Sequence, residues 1–372
     1  MRNLTFAGFA CLLALSACGG GSLSSLPACP ATVELGAMPL KDDAYTAITP
    51  LGRLGPPSHT LPTEHHYLVL KPDPGRALAA PVYAMAAGWV VEVSSVEHVG
   101  AGYTDYDLKL GLCRDFSIGY GHLSELAEDL RAALGPPSRC NTYSTGGDTY
   151  KRCGFDVRVP VVAGQLLGMA GGNPGQYALD LGAKDRRRVQ NAFVNHERYE
   201  REAADLLYAV SPLAYLKGDL RKAARERTGG WGGARRSAEP PFGTVAYDVP
   251  GTAMGNWFRE GRPFYPEDPH LALVPDEVDP GIQVISAGAS LGALSGYLVR
   301  FTPQATGTVN RGFDTIRDES VYCYPTGDPH TSAPAGRVLL RLAGRAGLLA
   351  EFQAGKDCSR PRTFAGPKRF NR

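Results

Sequence analysis

Short alternating runs, rather than long helical faces, dominate this chain. APVYAMAAGWVVEVSS (80–95) reads as two strands around a small-residue turn. DYDLKLGL (105–112) and DFSIGYGHL (115–123) alternate as a hairpin, and FDVRVPVVAGQLLGMAGG (155–172) reads as strand, turn and strand. Two segments have helical spacing: LSELAEDLRAAL (123–134), stopped by Gly135-Pro136-Pro137, and HERYEREAADLLYAV (196–210), ended by Ser211-Pro212. RCNTYSTGGDTYKRCG (139–154) reads as a loop stapled by its two cysteines. Residues 218–240 are charged, then Gly-rich, then Pro-terminated, the pattern of a linker with a helical start. Beyond Phe242 come short apolar runs (HLALVPDEV, IQVISAG, GYLVRFTP, VYCYP, RVLLRLAG, LLAEFQAG) separated by turn signals, which fits a small antiparallel barrel or sandwich. The expected architecture is mostly β: one antiparallel β domain over 32–217, a linker over 218–240 and an accessory β domain over 241–372.

The first residues change the picture of where this protein resides. A basic start is followed by an apolar run from Leu4 to Leu15, too short for a permanent span and of the length of a secretory h-region. It ends in Leu15-Ser16-Ala17-Cys18 and then three glycines, which resembles the lipobox of bacterial lipoproteins. That resemblance implies a signal peptide over 1–17, acyl chains on Cys18 and a tether over 18–31, with the membrane reached through the lipid. Gly19 carries no acidic retention signal, so the outer membrane is favoured where the organism has one.

The charge is nearly balanced, 39 basic against 37 acidic residues, which argues against a nucleic-acid partner. With 45 Gly and 29 Pro in 372 residues the chain is loop-rich, and its length suggests two cores. Besides Cys11 and Cys18, six cysteines remain: Cys29, Cys113, Cys140, Cys153, Cys323 and Cys358. An even number in an exported chain, with no CxxC pair, points to disulfides rather than a cysteine metal site. The sequence leaves the connectivity open. Proximity favours Cys140 with Cys153 and Cys323 with Cys358, with Cys29 and Cys113 left over.

The candidate chemistry lies in three segments taken in order: GPPSHTLPTEHHYLVL (55–70), SIGYGHLSEL (117–126) and VPVVAGQLLGMAGG…YALDLGA (159–183). With the strand pair at 80–93, this order resembles the lysostaphin-type zinc endopeptidases of bacterial cell walls, over about residues 50–215. The resemblance implies a duplicated hybrid motif fold, a zinc ion held by two histidines and one carboxylate, and peptidoglycan as partner. Zinc in such a set keeps one position for water and lowers its pKa to about 7.

Carried over residue by residue, His122 stands at a catalytic histidine and Ala178 at the other. Asp180 replaces the last metal ligand, and Thr63 stands where the first segment should have Asp after His59. A rewritten metal set is expected from His59, His65 and Asp180, with Glu64 as the alternative carboxylate. His59 and His65 are six apart and share a face if the strand reaches both, although Pro62 lies between them. The function expected is that of a degenerate domain that binds peptidoglycan or an envelope protein, or regulates there, without efficient proteolysis; the alternative is an active zinc endopeptidase that cleaves peptidoglycan crosslinks with this rewritten metal site.

The other histidines, His98, His196, His270 and His330, read as surface or turn residues. Trp89 reads as core, and Trp257 as a core anchor or a sugar-stacking platform. Lys184–Arg188 reads as a solvated loop or a contact for anionic wall polymer.

Overall fold

A computed structural model describes residues 22–72, 78–145, 147–327 and 333–372. The signal segment, Cys18 and His330 lie outside the described residues. The protein is mostly β, and its two large sheets are antiparallel throughout. The first comprises β1 (Tyr45–Ile48), β2 (His65–Leu70), β3 (Ala79–Tyr83), β4 (Gly88–His98), β5 (Tyr103–Cys113), β6 (Phe116–Leu126), β7 (Arg139–Thr145), β8 (Asp148–Val161), β9 (Leu166–Gly171), β10 (Ala178–Asp185) and β11 (Ala209–Val210). The main path runs β1-β2-β10-β6-β5-β4-β8-β7, with β9 joining β3 to β6 and β11 pairing β10. One face closes over a core that includes Leu68, Val82, Val90, Leu110, Ile118, Leu123 and Leu181. The other face carries the polar alternates.

Two helical expectations and one loop expectation shift. Residues 123–126 extend β6, because Leu123 pairs with both Tyr106 and Ala170, and only Glu128–Ala132 forms a helix, α1. The long helix over 196–210 is confined to α2 (His196–Glu202), followed by a 3-10 turn over Ala204–Tyr208. The segment 139–154 is not a loop: it forms the β7–β8 hairpin, with Cys140 directly opposite Cys153. The three disulfides join Cys29–Cys113, Cys140–Cys153 and Cys323–Cys358.

Residues 218–240 are not a free spacer. They begin with α3 (Gly218–Arg227), whose Ala224 is fully buried, and Thr228 bridges to Ile48 of β1. The second sheet follows the order β15-β14-β13-β12-β19-β18-β17-β16. These strands are β12 (Gly255–Arg259), β13 (Leu271–Pro275), β14 (Gln283–Ala287), β15 (Tyr297–Phe301), β16 (Tyr322–Thr326), β17 (Gly336–Leu342), β18 (Gly347–Ala354) and β19 (Lys368–Asn371).

Trp257 is its core anchor, with no exposed surface. Its Nε1 donates to Ala253 O at 2.8 Å, and Arg372 covers its ring at 4.1 Å. The platform reading is thereby excluded. Trp89 is only half-buried, under Arg158, and is not part of the main core.

The two β units share a third core. Leu51, Leu54 and Leu61 of the first meet Tyr199, Phe258, Phe264 and Val274. Glu267 of the second unit accepts from Leu61 N at 2.9 Å, which fixes the loop that carries His59.

Candidate functional site

The polar face of the first sheet forms a cleft of about 500 Å³, and its floor is built by strand alternation. On β10, Ala178, Asp180 and Gly182 share a face, and the register sets them opposite Val69, Tyr67 and His65 of β2. His65 therefore faces the cleft. His66 points the other way, fully buried between Thr49 O and Ser211 Oγ, each at 2.7 Å. Gly182 makes the approach possible: a Cβ there would lie 3.0 Å from Glu64 O and 3.4 Å from the His65 Cβ.

His122 reaches the same cleft by breaking alternation. Between Tyr120 and Leu123, β6 carries one more residue than the facing stretch Tyr106–Leu108 of β5. This bulge puts Tyr120 and Leu123 both in the core and turns two successive residues, Gly121 and His122, outward. His122 pays with a left-handed φ of 60°, uncommon for a side chain with a Cβ. A Cβ on Gly121 would lie 3.1 Å from the Asp180 Cβ and 3.2 Å from Asp107 Oδ1, so glycine keeps both carboxylates in place.

The result is an alternating row of imidazoles and carboxylates across five strands and the loop residue Glu64. Glu64 Oε2 lies 3.6 Å from His65 Nδ1, and His65 Nε2 lies 3.3 Å from Asp180 Oδ2. His122 Nε2 lies 3.5 Å from the same Asp180 oxygen, and His122 Nδ1 lies 2.5 Å from Asp105 Oδ2. His98 Nε2 closes the row at 3.4 Å from Asp105. Asp105 is only 1% exposed and also accepts from the buried Gln176 Nε2.

Both nitrogens of His65 and of His122 thus face carboxylates. A neutral imidazole would turn a lone pair toward one of them, so the row requires extra positive charge, either as protons or as a cation. Burial works against charge on His122, but Asp180, Asp105 and Asp107 outweigh it and hold its pKa at about 10. His65 is raised in the same way, by Asp180 and Glu64 against burial. His59 is driven down to about 4 by burial and by His65. Glu64 is held well below the usual carboxylate range: burial opposes this, but Lys184 and His65 prevail.

The expected metal set is only partly assembled. His65 and Asp180 meet. His59 stands beside His65, with ring centroids 5.5 Å apart, but it sits in a tight turn (Gly55–His59) before β2, so the strand-face argument for it does not hold. Glu64 lies at the Nδ1 side of His65, away from Asp180, and 3.9 Å from Lys184. It orients the ring rather than completing the set. His122 takes the third place. Among the described residues no group of three such side chains already surrounds one point as an ion requires. The pairs at 3.3 and 3.5 Å nevertheless match the roughly 3.3–3.4 Å edge of a tetrahedron of ligands about 2.0–2.1 Å from zinc. His65 Nε2 and Asp180 Oδ1 are buried with no hydrogen-bond partner, an arrangement that suits a cation.

Asp105, Gln176 and His98 were missed in the sequence. His98 is in the cleft rather than on the surface, stacked near Tyr103 with centroids 4.2 Å apart. His270 is fully buried, accepting from Arg259 N and donating to Pro263 O and Phe264 O, whereas His196 is a surface residue bonded to Gln190. The basic run divides: Lys184 and Asp185 belong to β10, Lys184 facing Glu64, while Arg186–Arg188 form the expected exposed turn, in which Arg186 pairs with Asp205 at 2.5 Å and Arg187 with Asp185 at 2.8 Å. Ala178, on the cleft strand, is buried and apolar.

Asp105→Asn is expected to lower the His122 pKa, since it removes one of the carboxylates that hold the charge. An NMR titration of the imidazole in metal-free protein checks this. An unchanged midpoint would mean Asp105 has no hold on the ring.

No protein-family model and no curated protein matches this chain. The fold and cleft define its class no further than a mostly antiparallel β protein with a histidine–carboxylate cleft.

Proposed function

We propose that this is a lipid-anchored protein of the bacterial envelope whose first β domain holds peptidoglycan peptides in the charged cleft, without efficient cleavage. The observation that carries this reading is the pairing of a charged row (His65, Asp180, His122) with a buried Ala178 at the place where the lysostaphin-type resemblance expects a second proton-transfer histidine. Alanine neither moves a proton nor stabilises an oxyanion, and the loss of such a group commonly costs 10²–10⁴ in rate. Mixed charge suits peptide stems, which carry both amines and carboxylates.

A second reading is an active zinc endopeptidase directed at peptide crosslinks, and the ligand-like spacing about Asp180 favours it. His65, Asp180 and His122 would hold the metal, which would supply Lewis acidity and an activated water. Asp105 would then fix the His122 ring through Nδ1 while Nε2 faces the ion.

The test is co-sedimentation with purified sacculi, with metal content measured on the same never-chelated protein. Binding that survives chelator and His122→Ala, with no soluble peptide released, is the expected result. Stoichiometric zinc that is lost in Asp180→Ala, together with peptide release that is abolished in His122→Ala, would replace it with the enzyme reading.

A further inference from the structure

The guanidinium of Arg53 is held between two aromatic rings beside the cleft. It lies 5.0 Å from the Tyr67 ring and 5.3 Å from the Trp231 ring. Tyr67 in turn contacts His65, with centroids 4.9 Å apart, so Arg53 sits one aromatic ring away from the histidine–carboxylate row. Most arginines around this cleft are paired, as Arg152 is with Asp107 and Arg186 with Asp205. Among the described residues the Arg53 guanidinium has neither a hydrogen bond nor an ion pair. Glu277 lies in its field without reaching it.

The other wall is built to stay in place. Trp231 is 43% exposed, at the tip of a tight hairpin closed by Gly230 N to Ala234 O at 2.8 Å and tied to β1 by Gly229 N to Ile48 O at 2.8 Å. A Cβ on Gly229 would lie 1.9 Å from Ala234 O, so the closure depends on glycine.

We infer that Arg53 and Trp231 form a subsite for the free carboxylate end of a short peptide. The inference rests on the reading that the cleft takes peptides. A guanidinium offers parallel N–H donors that match a carboxylate bidentately, and one already clamped between two rings loses little freedom on binding. The open face of Trp231 takes the apolar body of the terminal residue. Arg53 lies 5.0 Å from the Tyr67 ring and that ring 4.9 Å from the His65 ring, so His65 is within the reach of about three extended residues, at about 3.3–3.6 Å each, from this anchor.

The probe is diacetyl-Lys-D-Ala-D-Ala against its C-terminal amide, titrated by tryptophan fluorescence into the full chain purified in detergent. The acid is expected to bind at least tenfold more tightly than the amide. Arg53→Gln is expected to erase that preference, and Arg53→Lys, which keeps the charge but loses the fork, to reduce it. Equal binding of acid and amide, binding of neither, or a preference that survives Arg53→Gln overturns the inference. If Arg53→Gln fails to fold, Arg53→Lys decides: an undiminished preference overturns it. Sacculus binding is scored on the same preparations. Its retention alongside a lost preference for the acid sinks only the subsite, whereas its loss in the wild type sinks the parent reading.

Discussion

Replacing Cys29 and Cys113 together by serine is expected to destabilise the protein by about 4–5 kcal/mol, more than the roughly 3 kcal/mol expected for removing Cys140–Cys153. The difference follows from loop length. The first bridge spans 84 residues and the second 13, and closing the longer loop removes more entropy from the unfolded chain. Packing adds to it. Cys113 is buried at the end of β5, and the bridge holds the segment that lays Leu23 and Leu26 over Gly111, where a Cβ would meet them at 2.7 and 2.5 Å. Urea unfolding of the two double variants at pH 7 measures both losses. Equal losses would mean that the unfolded chain is already compact where the long bridge acts.

The second large effect is pH-dependent and concerns His66. Burial drives its pKa down to about 4, against the pull of Thr49 O. The Thr49 carbonyl can only accept, so Nδ1 donates to it and Nε2 accepts from Ser211 Oγ, a neutral ring with both nitrogens engaged. The unfolded chain takes up a proton near pH 6.5 and the folded one does not until about 4. The contribution of His66 is therefore full above about 6.5 and is lost as the pH falls toward 4.

His66→Gln should cost stability at pH 7, and its deficit relative to wild type should shrink by about 2 kcal/mol at pH 5. The comparison must be made between variants, because Glu267, raised by burial to about 8, contributes in the opposite sense over the same range. Denaturant unfolding at pH 7, 6 and 5 gives the deficit directly. A deficit that does not change with pH would show that His66 titrates as an exposed histidine does. His270, also driven to about 4 by burial, should behave similarly.

Much of the site was legible in local pattern. Period-2 alternation put His65 on a strand, while the expectation that His122 and Asp180 face one cleft came from the lysostaphin-type resemblance carried by YGHL and VVAGQLLG. Cysteine proximity picked two bridges and left the third by default. Local pattern failed wherever a neighbouring strand overrode it. Leu123–Leu126 have helical spacing, yet pairing with β5 and β9 made them strand. The composition of 218–240 announced the helical start but hid the hairpin after it and the docking on β1, because Gly and charged residues say nothing about which surface will receive them.

What the sequence determined by itself is what depends on near neighbours: the strands, the mostly β class, the small staples and the residue types available for chemistry. What only the tertiary structure decided is which of those residues meet. Asp105 and His98 join His122 because one extra residue in β6 turns its side chain outward, a consequence of register between strands. His59 comes beside His65 through a turn braced by Glu267, more than 200 positions away in the chain. Arg53 meets Trp231 because a glycine hairpin folds back over β2. Each contact is fixed by where distant segments pack, and a side chain carries no local record of the partner that packing will bring to it.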